Sequence, residues 1–147
     1  MLLTFLDTVC TSDCPLIAQE FREAGQLLSA SANQVALVAV NYNPLYTQVS
    51  YLQAFDQQEG LNGVRNWKYL TGTPAQLARV WARYGAGPAE VLPAGAMIGH
   101  GDYAFVIDKR GHIRRELDFD PGPGTQSTKS SFAAELADAA RPLLGSS

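Results

Sequence analysis

The sequence predicts an α/β fold, a central mixed β-sheet flanked by helices and completed by a late β-hairpin and a C-terminal helix. Three patterns carry this expectation. Leu2 to Leu6 (LLTFL) and the run QVALVAVN are short and continuously apolar, as strands buried on both faces are. Segments with helical periodicity follow each of them. DYAFVID and HIRRELDF then flank Lys109-Arg110-Gly111, which reads as the turn of an antiparallel hairpin.

The elements follow in order. After Pro15, LIAQEFREAGQLLSA places Leu16, Ile17, Phe21, Ala24, Leu27 and Leu28 on one stripe, with Gln19, Arg22, Glu23 and Gln26 opposite. YTQVSYLQAFDQQEG reads as a second helix ending near Gly60, and Asn66 to Leu70 (NWKYL) as a third strand. Thr73 is an N-cap followed by Pro74 at the first helical position, so AQLARVWARYG is a third helix. GAGPAEVLPAGAMIGHG reads as a long irregular connection, a length more often functional than decorative. DPGPGTQST is a linker, and SFAAELADAARPLL a final amphipathic helix. Trp67, Trp81 and Tyr84 are expected in the core. No repeat or second domain interrupts residues 1–147, and a thioredoxin-like arrangement satisfies the whole order.

Composition narrows the function. A charged fraction of 17% and a formal charge of -3, with no basic stripe, speak against nucleic acid. No apolar run reaches the length of a membrane span, and LLTFLD follows Met1 without the basic region of a signal peptide. No Ser-His-Asp grouping supports hydrolysis, and GPG and GAG lack the strand-to-helix context and lysine of a phosphate loop.

Chemistry concentrates in TVCTSDCP, Thr8 to Pro15, which holds both cysteines. The pair can be a structural staple, a redox couple or a metal grip. So short a loop makes the staple the weakest of these, because closing it removes little chain entropy. Cys14 lies at a helix start, where unpaired N–H groups and the helix dipole are expected to stabilise its thiolate. That favours redox and metal work alike. Asp7 and Asp13 bracket the cysteines, Asp13 as a cap candidate.

Separating metal from redox requires a third ligand. His112, beside the hairpin glycine and among arginines, reads as an ordinary exposed histidine. His100 ends the long connection in a GHG segment ahead of YAFVID, and a thioredoxin-like fold returns it to the edge that carries the cysteines. Cys10, Cys14 and His100 would form a soft, low-coordinate set suited to Cu(I) and tolerant of Cu(II), short of a closed zinc site. Met97 could add a thioether, although packing is its ordinary role.

These residues resemble the Sco/SenC copper chaperones, a thioredoxin-like family that helps to metallate the CuA site of cytochrome c oxidase. The resemblance rests on CxxxCP (Cys10, Cys14, Pro15), on His100 ahead of YAFVIDKRG, and on WKYLTGTPAQLARVWARYG. It implies copper held by Cys10, Cys14 and His100 once the cysteines are reduced. It also implies cytochrome c oxidase subunit II as partner, a thiol reductant or another copper chaperone upstream, and a domain anchored at the extracytoplasmic face of the membrane. Gly99 stands where the family usually has an acidic residue before the histidine, and Asn43-Pro44 where it usually has Asp-Pro. The chain begins at the first core strand, so an N-terminal anchor and leading strands are expected to precede it in a longer protein. The alternative is a thiol-disulfide oxidoreductase, with Cys10 and Cys14 as attacking and resolving thiols. Its difficulty is that the cysteines stand one residue further apart than in the usual CxxC redox motif.

Overall fold

A computed structural model describes residues 1–86, 90–91, 98–99, 101–119 and 131–145. Its centre is a five-stranded sheet in the order β3-β2-β1-β6-β7, formed by β1 (Leu2–Leu6), β2 (Leu37–Asn41), β3 (Trp67–Leu70), β6 (Tyr103–Ile107) and β7 (Ile113–Asp118). The first three strands are parallel, with Leu2 opposite Leu37 and Leu37 opposite Trp67. β6 returns antiparallel to β1, with Thr4 opposite Ala104, and β7 completes the hairpin. The mixed sheet is therefore as expected.

β1 is buried along its whole length because both of its faces are covered. Leu2 and Leu6 point toward α1 (Asp13–Leu27) and α4 (Phe132–Ala140), joining Ile17, Phe21, Trp67, Val106 and Leu136. Leu3 and Phe5 face the other way, toward Leu77 and Trp81 of α3 (Pro74–Arg83) and Phe105 of β6. α2 (Val49–Gln58) adds Phe55, whose ring meets Tyr69 edge-on at 5.5 Å. Trp67 and Trp81 are core residues, and Tyr84 is packed against the second cluster.

Local chemistry accounts for the boundaries. Thr73 Oγ1 accepts from the Gln76 N–H at 3.2 Å while the Gln76 side chain accepts from the Thr73 N–H at 2.9 Å, a complete capping box at the start of α3. Ser131 Oγ likewise accepts from the Ala134 N–H, opening α4. In the β6–β7 turn, one Asp108 oxygen accepts from the N–H groups of Arg110 (2.8 Å) and His112 (3.0 Å), and the other binds Arg114. The His112 N–H foremost, with Arg114, holds the Asp108 carboxyl well below the usual range. Gly111 supplies the positive φ of 83° that this turn requires. His112 itself is an exposed turn residue, as expected.

Three expectations are corrected. Leu16 and Leu27 are 50% and 46% exposed, because the face that α1 presents to the sheet runs through Ile17, Phe21, Ala24 and Leu28, one helical step away. Asp13 is the first residue of α1, preceded by Ser12, so it favours the helix by charge in the first turn and is not the cap. The long connection is not wholly irregular: β4 (Glu90–Val91) pairs antiparallel with β5 (Ile98–Gly99) in a separate ribbon. The expected linker at 120–128 lies outside the described residues.

Two substitutions test this packing by urea titration. Phe21→Ala, which empties a fully buried ring site, should cost about 3–5 kcal/mol of stability. Thr73→Ala should cost about 1 kcal/mol, through loss of its cap alone.

Candidate metal centre

The carboxyl ends of β1, β2 and β3 and the start of antiparallel β6 meet at one edge of the sheet, the usual place for a site in an open α/β layer. β1 delivers Asp7 there, and a short loop carries Cys10 to Cys14 in the first turn of α1. The loop is closed by its own polar groups: the Cys10 N–H donates to the Asp7 carbonyl at 3.2 Å, and the Val9 N–H to Asp7 Oδ1 at 3.1 Å. An Asp at this position thus turns the chain immediately after the strand.

Cys14 is fully buried and packed into the α1 side of the core, whereas Cys10 is only partly buried. Both are free thiols joined by a hydrogen bond. The Asp7 N–H approaches Cys14 Sγ at 3.4 Å, and Ser12 Oγ lies 3.6 Å from Cys10 Sγ. The hydrogen bond from Cys14 lowers the Cys10 thiol to about 4, against the opposing effect of partial burial. Cys14 moves the other way, first through that same bond and then through burial, with the charge of Asp102 adding to the effect. One proton therefore serves both sulfurs, and it stays on Cys14.

This reverses the expectation that the helix start would make Cys14 the thiolate. A helix terminus stabilises an anion by a modest amount, and complete burial of the sulfur outweighs it. The accessible thiolate is Cys10, in the loop.

Residues that the sequence reading did not assign to the site complete the surroundings. Asn43 Nδ2 donates to Asp7 Oδ1 at 3.0 Å, while Asn41 Oδ1 accepts from the Asn43 N–H at 2.9 Å. Asn41 Nδ2 reaches the Tyr46 carbonyl at 2.8 Å and Thr71 Oγ1 at 3.2 Å, so the loops after β2 and β3 are tied together. The Tyr69 hydroxyl donates to the Leu6 carbonyl at 2.9 Å, and its pKa is raised, first by burial and then by the nearby Cys14, Asp7, Asp56 and Cys10. The polar pair N-x-N at the end of an apolar run was the available signal: buried amides need partners, and here they hold a site together.

On the other side, the chain enters β6 through Gly101 and Asp102. A Cβ on Gly101 would lie 2.2 Å from the Tyr103 ring, so a larger residue there would have to displace that ring. The Asp102 carbonyl accepts from the Phe119 N–H at 2.8 Å, which pins this entry to the end of β7. His100 and Met97 lie outside the described residues, and among those described no three His, Cys, Asp or Glu side chains group as a metal site. The structure therefore brings Cys10, Cys14 and Asp7 together. The sulfur pair suits a soft cation, which would take the place of the proton it already shares.

The SCO1/SenC family model matches residues 1–134. The chain belongs to the SCO1/SenC family. Its fold is that of solved Sco structures. Bradyrhizobium japonicum ScoI with copper bound is 19% identical over 95% of this chain and 82% of that one, with a TM-score of 0.75. Arabidopsis thaliana ScoI with copper bound is 14% identical over 96% and 83%, with a TM-score of 0.74. A SCO1/SenC family lipoprotein from Bacillus anthracis is 17% identical over 95% and 80%, with a TM-score of 0.72. No curated protein sequence shows significant similarity. These relatives bear out the thioredoxin-like fold expected for this SCO1/SenC chain. No helix among its described residues is long and apolar enough to cross a membrane.

The sulfur assignment is tested by alkylation. At mildly acidic pH, above the Cys10 value of about 4, iodoacetamide should label Cys10 well ahead of Cys14. Cys14→Ala removes the hydrogen-bond donor and should move the Cys10 reactivity midpoint upward, toward the ordinary thiol range. Equal labelling, or a midpoint that stays low in the variant, would contradict the shared proton.

Proposed function

We propose that this SCO1/SenC chain is a copper metallochaperone that holds one copper ion through Cys10, Cys14 and His100 and delivers it to the CuA site of cytochrome c oxidase subunit II. The observation that carries the reading is the hydrogen-bonded sulfur pair at the sheet edge, with one sulfur accessible and the other buried. Metal uptake at such a pair releases one proton: Cys10 contributes a thiolate, Cys14 gives up its hydrogen, and the copper takes that hydrogen's place between the sulfurs. His100 is the residue directly before Gly101, and Gly101 opens onto the same edge. An imidazole there would make the third ligand. Three ligands leave room for a thiolate of the acceptor to add before Cys10 leaves, so the ion passes by stepwise exchange.

Copper-bound ScoI structures from Bradyrhizobium japonicum and Arabidopsis thaliana support copper as the cargo. The lipoprotein nature of the Bacillus anthracis relative supports work at the outer face of a membrane. A thiol reductant or a second copper chaperone would supply the reduced, loaded state.

The acidic, partly exposed Cys10 beside a buried Cys14 also suits a second reading, thiol-disulfide exchange with a partner's cysteines. There Cys10 attacks and Cys14 resolves, and the pair ends as a disulfide while the partner's disulfide is reduced to thiols.

Copper titration of the reduced protein separates the two. Wild type should take up one equivalent. His100→Ala should weaken binding by more than the roughly 10–100-fold that loss of an outer partner costs. Undiminished affinity and an unchanged spectrum in His100→Ala would remove the three-ligand site. Rapid reduction of a disulfide substrate without copper retention would favour the exchange reaction.

A further inference from the structure

We infer that the cleft bounded by β2, β3 and α3 binds a single-chain anionic amphiphile, an acyl carboxylate whose head pairs with Arg79 and Arg83. The cleft lies on the sheet face opposite the one that packs Cys14, so the inference stands apart from the copper reading. Its volume of about 730 Å³ is that of a small-molecule site. Leu3, Val38 and Val40 form the floor, with Leu70 on the β3 side and Leu77 and Val80 on the α3 side. All six are hydrocarbon side chains.

The rim carries charge of one sign. Arg79 and Arg83 both line the cleft and stand one helical turn apart, about 5–6 Å between Cβ atoms. Like charges at that spacing repel, and among the described residues neither guanidinium meets a carboxylate. Arg83 also suits the carboxyl end of its helix, whereas Arg79, a turn earlier, gains little there. Lys68, beside Val38 in the strand register, adds a third cation to this face. No acid balances them locally: residues 60–89 contain Arg65, Lys68, Arg79 and Arg83 and no Asp or Glu, in a chain of net charge -3. A carboxylate is the complement of such a pair, because a guanidinium fork holds it by two N–H···O bonds. The width of the cleft decides the rest of the ligand. Leu3, Val38 and Val40 are only 4%, 6% and 6% exposed, so the floor is a narrow strip. A partner helix would bury little there, whereas a stable protein interface needs about 800 Å² on each side. An unbranched acyl chain is slender enough to lie along the strip, and it would cover Leu70, which is 48% exposed.

The test is calorimetric titration of the full chain with decanoate below its micelle-forming concentration, with decanol, decyltrimethylammonium, acetate and an oligoglutamate peptide as comparisons. Decanoate should saturate at one equivalent and bind about tenfold or more tighter than each of the others. Replacing both arginines, Arg79→Gln with Arg83→Gln, should weaken decanoate about tenfold or more. Leu70→Gln, at an exposed position, should weaken it through the chain. Thermal melts confirm that each variant is folded, and Arg79→Gln alone serves if the double variant is not. Methyl NMR shifts on binding should centre on Val38, Val40 and Val80. Equal binding of decanol overturns the inference, as does unchanged affinity in the arginine variants, because either leaves the head without its partner. Equal binding of acetate, or unchanged affinity in Leu70→Gln, overturns it by removing the role of the chain. Absence of saturable decanoate binding, shifts centred elsewhere, or tighter binding of the oligoglutamate peptide would each overturn it as well.

Discussion

The pairing of β1 with β2 on one side and β6 on the other is the constraint on which the remaining structure depends. β1 is the only strand of the described sheet whose two neighbours run in different senses, parallel to β2 and antiparallel to β6. Its carboxyl end therefore lies beside the carboxyl end of β2 and the beginning of β6. Asp7, the cysteine loop, the Asn41–Asn43 turn and the Gly101–Asp102 entry all converge there because of that pairing. Both faces of β1 are buried, so a slip by one residue would exchange Leu2 and Leu6 with Leu3 and Phe5 between two different cores. The register, and with it the position of the site, is set by packing on both sides at once.

Within the site, solvation decides which sulfur is charged. The helix start and the Asp7 N–H both favour an anion at Cys14, yet Cys14 belongs to the same core cluster as Phe21 and Leu6. Cys10 lies outside that core with access to water, and accepts the hydrogen bond that Cys14 donates. Division of labour follows from position: one sulfur meets the outside and the other anchors the pair to the sheet. An exchange reaction, whether of metal or of a disulfide, would then begin at Cys10 and end at Cys14.

Much of this was legible in the sequence because it depends on local rules. The apolar run of β1, the Thr73-Pro74 helix start and the Lys109-Gly111 turn each carry their own signal, and each is observed. The spacing of the cysteines and their arrival at a helix start were also readable. Features that depend on distant partners were not. Leu16 and Leu27 matched the helical period, but the sheet chose the neighbouring stripe. The charge on Cys10 depends on how deeply α1 packs, which no spacing reports. Asn41 ended a strand run and Asn43 stood before a proline, and nothing local showed that both are buried connectors between three strand ends. The β4–β5 ribbon is only two residues long on each side, too short for alternation to announce it.

The Asp108 turn stands at the far end of β6 from the cysteine edge, and Lys109 and Arg110 at its tip are exposed. A five-residue strand separates the two ends, roughly 17 Å at about 3.4 Å per residue. The molecule thus has a chemically quiet pole opposite its reactive one. A fluorophore or surface tether placed on that turn would orient every molecule with its sulfurs outward, ready to meet a partner in solution.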